Sequence, residues 1–127
     1  MRVISSRTHT FIGLVVGLLL LVAPWLFAFA DENAPKSVAV VVGAFVLINE
    51  MITTSPVSPL RLVPMGVHLV IDIVTGAFLI LSPWLFQFAD RGANAWLPHV
   101  VVGLLTAGYA FLTNPADATK PTAAERI

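Results

Sequence analysis

Cysteine is absent from all 127 residues. That excludes disulfides, thiolate metal sites and thiol catalysis. Charge is scarce: seven Lys and Arg face seven Asp and Glu, 11% of the chain, and the formal net charge is zero. A soluble domain carries about 25% charged residues, so this chain lacks the polar surface that would keep it in water. Balanced charge with no basic run implies no nucleic-acid partner and no lipid-headgroup patch. Catalytic signatures are missing too: there is no G-x-S-x-G, no H-E-x-x-H, no P-loop and no dinucleotide fingerprint. The serines lack a His/Asp companion at a sensible depth, so no catalytic residue is expected. What abounds is apolar: 57% of residues are hydrophobic and the mean hydropathy is +0.90. The composition is that of an integral membrane protein, with the lipid bilayer as its first partner.

Four apolar stretches, 10–29, 37–52, 63–81 and 96–112, are each read as a membrane span. A spanning helix needs about 17 to 25 residues, and the second and fourth stretches reach that through snorkelling flanks or local thinning of the bilayer. Breaks fall at 31–36, 53–62 and 90–95; the middle one holds Pro56 and Pro59 and serves as a linker. Pro64 suits the first turn of the third helix, where its missing N–H is no loss. The expected organisation is one membrane domain over 1–113, with one unit at 8–52, a linker at 53–64 and a second unit at 65–112. A polar, flexible tail at 114–127 follows. Arg2, Arg7, Arg61, Lys120 and Arg126 lie on one side of these spans, against Lys36 and Arg91 on the other. The positive-inside rule then puts both termini and the linker in the cytoplasm of a cell (inner or plasma) membrane.

The chain repeats itself. Ala23 to Asp31 reads APWLFAFAD and Ser82 to Asp90 reads SPWLFQFAD, matching at seven of nine positions with an offset of 59. His9 aligns with His68 and Gly17 with Gly76, and after one extra residue the VVVG ending at Gly43 recurs ending at Gly103. Each unit holds two spans, so both enter the membrane from the same side, as parallel repeats. The fold expected is all-α: a four-transmembrane-helix bundle made of two parallel, duplicated helical hairpins. Within the repeated string, Pro24 and Pro83 should kink or stop their helices, and Ser82 before Pro83 looks like an N-cap for a helix restart. Trp25 and Trp84, joined by Trp96, suit an interfacial collar. Arg2, Arg7 and Ala28-Phe29-Ala30 also look like a secretory signal with its cleavage site. The copy at 82–90, inside the chain where no signal acts, argues against that.

These strings, each in the first helix of a two-helix unit and present twice, resemble the SPW-repeat family of small bacterial and archaeal integral membrane proteins. Ser82, Pro83 and Trp84 match its motif in full, while Ala23, Pro24 and Trp25 depart at the first position. The resemblance spans about 8–112. It implies a two-helix repeat in a membrane and carries no activity with it.

Two further patterns carry chemistry. Small residues recur at packing distance: Gly13 and Gly17 on the first helix, Ala39 and Gly43 on the second, Gly76 on the third, Gly103 and Ala107 on the fourth. Small residues let helix backbones approach closely in lipid, either within the monomer or, through Gly13 and Gly17, between two copies. Asp72 lies roughly 10 Å into its helix at 1.5 Å per residue, a depth where an ionisable group is expensive and needs a partner. His68 is one turn earlier on the same face, and His9, Asn49, Glu50 and Tyr109 fall at a similar level. These six could share one polar pocket. The first expectation is a self-satisfied hydrogen-bond network in a non-enzymatic accessory or assembly protein, with a second copy or another membrane protein as partner and with no cofactor and no metal. The alternative is a small oligomeric proton or ion transporter using Asp72, His68 and Glu50. Haem or metal ligation by His9 and His68 is the third class; His99 lies near the opposite surface and does not join them.

Overall fold

A computed structural model describes residues 2–117. Four helices follow one another: α1 (Ser6–Leu26), α2 (Asn33–Ile52), α3 (Met65–Leu85) and α4 (Ala93–Leu112). A single turn of 3-10 helix, Pro115–Asp117, follows. The helices hold 21, 20, 21 and 20 residues, and each is long and apolar enough to cross a membrane. Between their polar ends the outward faces are largely apolar; Val15, Leu18, Val41, Val74, Leu104 and Phe111 are all exposed. Water would not tolerate that surface, and lipid does. The chain is a multi-pass membrane protein.

The helices pair as two hairpins, α1 with α2 and α3 with α4, with lighter packing between the pairs. Within each hairpin the small residues form the seam. A Cβ on Gly76 would stand 2.6 Å from the Gly103 carbonyl oxygen, and one on Gly43 would stand 2.9 Å from that of Gly17. Only glycine lets these backbones lie so close. Ala39 is fully buried, and Ala107 packs against the space beside Gly76. Gly17 faces Leu47 and Gly13 faces Glu50, so their own hairpin already fills the face that a dimer seam through those glycines would need.

The repeated string is a helix stop. In both copies the helix runs through its proline, to Leu26 and Leu85. It does not restart, and Ser82 is not an N-cap. Instead the Ser82 hydroxyl donates to the carbonyl of Leu79 at 2.7 Å. Leu79 is four residues before Pro83, so its carbonyl is the one that the missing proline N–H orphans. In the first copy Ala23 has no hydroxyl to offer. After each helix one residue turns left-handed, Ala28 and Gln87, both at φ 58°. The next N–H, from Phe29 or Phe88, then returns to the proline carbonyl at 2.8 Å in each copy. That is the six-to-one bond of a Schellman stop, and Phe29 and Phe88 are the apolar anchors, each 1% exposed. Trp25 and Trp84 point outward at this level, as a collar would.

Both stops lie at the same end of the bundle. Asn94 donates to the carbonyls of Phe27 and Ala28 at 3.0 and 3.1 Å, and Arg91 approaches Glu32 at 3.6 Å. At the other end the segments flanking the helices stitch the hairpins together. Ile4 pairs with Thr113, and Val63 with Thr53, through parallel backbone bridges. Asn114 N–H donates to the Ile4 carbonyl at 2.9 Å, and the Ser6 hydroxyl donates to the Asn114 carbonyl at 3.0 Å. The tail expected to be flexible is therefore fastened at its beginning; from residue 118 on it lies outside the described residues, as do Lys120 and Arg126.

Candidate functional site: a buried histidine–carboxylate cluster

The stitched end encloses a polar centre. His9 comes from the first turn of α1, His68 from the first turn of α3, Asp72 from one turn later, and Glu50 from the last turn of α2. Their side chains are 0% exposed, except Asp72 at 3%. The two Nε2 atoms stand 3.2 Å apart. Asp72 Oδ2 lies 2.8 Å from His9 Nε2 and 3.1 Å from His68 Nε2. Glu50 Oε1 lies 3.1 Å from His68 Nε2 and 3.8 Å from His9 Nε2. Yet among the described residues neither Glu50 oxygen has a hydrogen-bond partner. An unsatisfied buried carboxylate is among the costliest groups a fold can hold.

The outer nitrogens are held identically. His9 Nδ1 meets Thr113 Oγ1 at 2.8 Å, and His68 Nδ1 meets Thr53 Oγ1 at 2.6 Å. Each threonine hydroxyl donates its one hydrogen to a backbone carbonyl four residues back, Tyr109 at 2.7 Å and Asn49 at 2.6 Å. Each threonine oxygen can therefore only accept from the ring, so both Nδ1 atoms carry hydrogen. Both Nε2 atoms are turned inward, toward each other and the carboxylates.

The repeat explains the layout. His9 and His68 are equivalent positions, and so are Thr53 and Thr113. The carboxylates are not duplicated. Gly13 stands where the second unit has Asp72, and Ala110 where the first unit has Glu50. Gly13 is needed: a Cβ there would collide with the Glu50 carboxylate. The arrangement is thus a symmetric pair of buttressed imidazoles with one carboxylate from each unit, on opposite helices of the repeat.

Of the six residues expected to meet, four form this centre. Tyr109 packs its ring edge-on against His9, with centroids 4.7 Å apart, and its hydroxyl has no hydrogen-bond partner among the described residues. Asn49 is buried and serves through its carbonyl, while its side-chain nitrogen is unpartnered. Thr53 and Thr113 were missed. The signal was there, since they recur at an offset of 60 like the glycines of α2 and α4, but both sit where helix gives way to linker or tail. His99 lies at the opposite end, between Phe29 and Phe88, with its nitrogens 2.7 and 3.1 Å from the carbonyls of Ala95 and Pro35. A haem between His9 and His68 has no room, because their facing nitrogens are 3.2 Å apart and flanked by carboxylates.

No curated protein and no solved structure matches the chain. A family model, that of the SPW repeat domain, matches residues 7–113. That span takes in both proline–tryptophan stops, both histidines and both threonines, and the chain belongs to the SPW repeat family.

Proposed function

We propose that this chain is a non-enzymatic module of the cell membrane, an accessory or assembly partner for a second copy or for another membrane protein, with both termini in the cytoplasm. The observation that carries the reading is the burial of this polar centre. The His9, Glu50 and His68 side chains are fully buried, so in this conformation no substrate in water or lipid meets their reactive atoms. What remains accessible is apolar helix surface, including a groove of about 380 Å³ between α1 and α4 lined by Ile12, Val16, Leu104, Leu105 and Leu112. Such surface suits lipid and neighbouring helices. Native mass spectrometry from nanodiscs tests this: one defined homo- or hetero-oligomer is expected, and a chain that is monomeric and recovers no membrane protein on crosslinking contradicts it.

The orientation rests on Arg2, Arg7 and Arg61 at the stitched end, against Lys36 and Arg91 at the other. Because the chain has no cysteine, single-cysteine labelling reads it directly. Glu32→Cys should react from outside intact cells and Arg61→Cys only after permeabilisation; the reverse pattern inverts the topology.

A second reading, a small proton or ion transporter, draws on Tyr109, which contacts His9 and also lines the groove. Flux in liposomes that disappears in Asp72→Asn and Glu50→Gln would favour it. Absent flux, or flux indifferent to both substitutions, removes it.

A further inference from the structure

We propose that His9, Glu50, His68 and Asp72 form a closed, four-coordinate site for a divalent transition-metal ion of the zinc class, which locks the two repeats together. This departs from the expectation of no metal, and it stands independently of the accessory role above.

The state of the imidazoles points to a cation between them. Both Nδ1 atoms must donate to threonine oxygens that have already given away their hydrogens. In neutral rings both Nε2 atoms then present lone pairs to each other across 3.2 Å. Two lone pairs at that distance repel unless a cation lies between them. Metal-binding histidines characteristically donate their other nitrogen to an outer partner, which fixes tautomer and ring orientation. Here Thr53 and Thr113 are those partners, one for each histidine.

The cage is also close to the right size. Zinc bonds to nitrogen and oxygen run about 2.0 to 2.2 Å in a tetrahedron, which sets ligand atoms about 3.3 to 3.6 Å apart. The separations described for the cluster run from 2.8 to 3.8 Å, and one atom from each of the four residues falls within 4.8 Å of all the others. The five separations that involve a histidine lie within about 0.5 Å of that range, and the Glu50–Asp72 edge is within 4.8 Å.

Glu50 is left without a partner among the described residues. Its side chain is fully buried, it points into the cage, and neither oxygen has a hydrogen-bond partner. Gly13 supplies the space that holds it there. A metal ion is the partner this geometry lacks. Charge agrees, since two neutral imidazoles and two carboxylates carry two negative charges and one divalent ion cancels them. The ligand set narrows the choice. Two imidazoles disfavour calcium and magnesium, and the absence of sulfur disfavours copper(I). Four protein ligands with no open position describe a structural ion rather than a catalytic one.

The experiment is metal loading of the tag-free full chain in detergent. The protein is stripped with chelator, checked for helicity and monodispersity, and titrated with Co²⁺ and then Zn²⁺. Visible d–d bands of tetrahedral cobalt should saturate at about one ion per chain and vanish as zinc displaces it. His99 is the one other histidine, so His99→Gln should leave the bands intact. His68→Gln and Glu50→Gln should abolish or shift them. Should those variants fail to fold, Thr53→Val keeps all four ligands, removes only the outer partner of His68, and should weaken zinc binding by about 10- to 100-fold. A folded wild-type chain that takes up neither ion overturns the proposal and leaves the cage to two protons. Equal zinc affinity in wild type and Thr53→Val would overturn it too. Neither failure bears on oligomeric state, which tests the accessory role separately.

Discussion

The two repeats share a backbone plan and diverge in what they place on it. Equivalent histidines, threonines, glycines and proline–tryptophan stops do the same job in both. Among the aligned positions that differ, Gly13 against Asp72 and Glu50 against Ala110 set the buried charge, and Ala23 against Ser82 sets the stop. Duplication alone would put like charges face to face at the centre. Divergence instead lets each unit contribute one carboxylate, from α2 in the first unit and α3 in the second, and Glu50 occupies space that Gly13 of its own hairpin leaves open. The contrast teaches that the scaffold tolerates symmetry but the buried charge does not.

Erasing the largest difference should hurt most. Asp72→Gly makes the second unit like the first at that position and leaves two imidazoles facing a single carboxylate. Removing one partner of a buried charged group costs about 3 to 5 kcal/mol, which detergent-denaturation midpoints would report. Glycine adds a helix-propensity penalty of up to about 1 kcal/mol, so Asp72→Ala should recover only that small fraction.

The seam gives the next contrast. A Cβ on Gly76 meets backbone, the Gly103 carbonyl, at 2.6 Å, whereas one on Gly17 first meets the Leu47 side chain at 2.7 Å. Side chains yield and backbones do not. Gly76→Ala should therefore cost about 1 to 3 kcal/mol, and Gly17→Ala less. Equal losses in the two would mean that the hairpins are equally compliant. Ser82→Ala orphans the Leu79 carbonyl and should cost about 1 kcal/mol. Ala23→Ser, which supplies the missing donor in the first copy, should be neutral or stabilising. Smallest of all, Ala28→Gly and Gln87→Gly relieve a left-handed backbone and should each gain under about 1 kcal/mol. A loss at either would show that the side chain there contributes more than its strain costs.

Much of this was legible in the residues. The repeated string fixed two hairpins, because an apolar run between turn residues has few other options in a membrane. Asp72 and Glu50 announced a buried site through their depth alone, and the aligned histidines marked its centre. Other features were hidden for physical reasons. Ser82 before Pro83 follows the rule for a helix start, yet it acts at a helix end, because a hydroxyl can also reach back to an orphaned carbonyl. Thr53 and Thr113 sit at helix ends, where hydropathy fades and a span is hard to bound. The left-handed residues Ala28 and Gln87 carry no local signal, since glycine is the usual occupant of that conformation.

The central claim is that the buried cluster joins one repeat to the other. A double-mutant cycle between His9 on α1 and Asp72 on α3, using His9→Gln and Asp72→Asn in a reversible detergent unfolding assay, measures it directly. The 2.8 Å contact between them predicts a coupling energy well above the roughly 0.3 to 0.5 kcal/mol scatter of independent sites, toward the upper part of a range of about 0.5 to 3 kcal/mol. Losses that simply add would contradict the account.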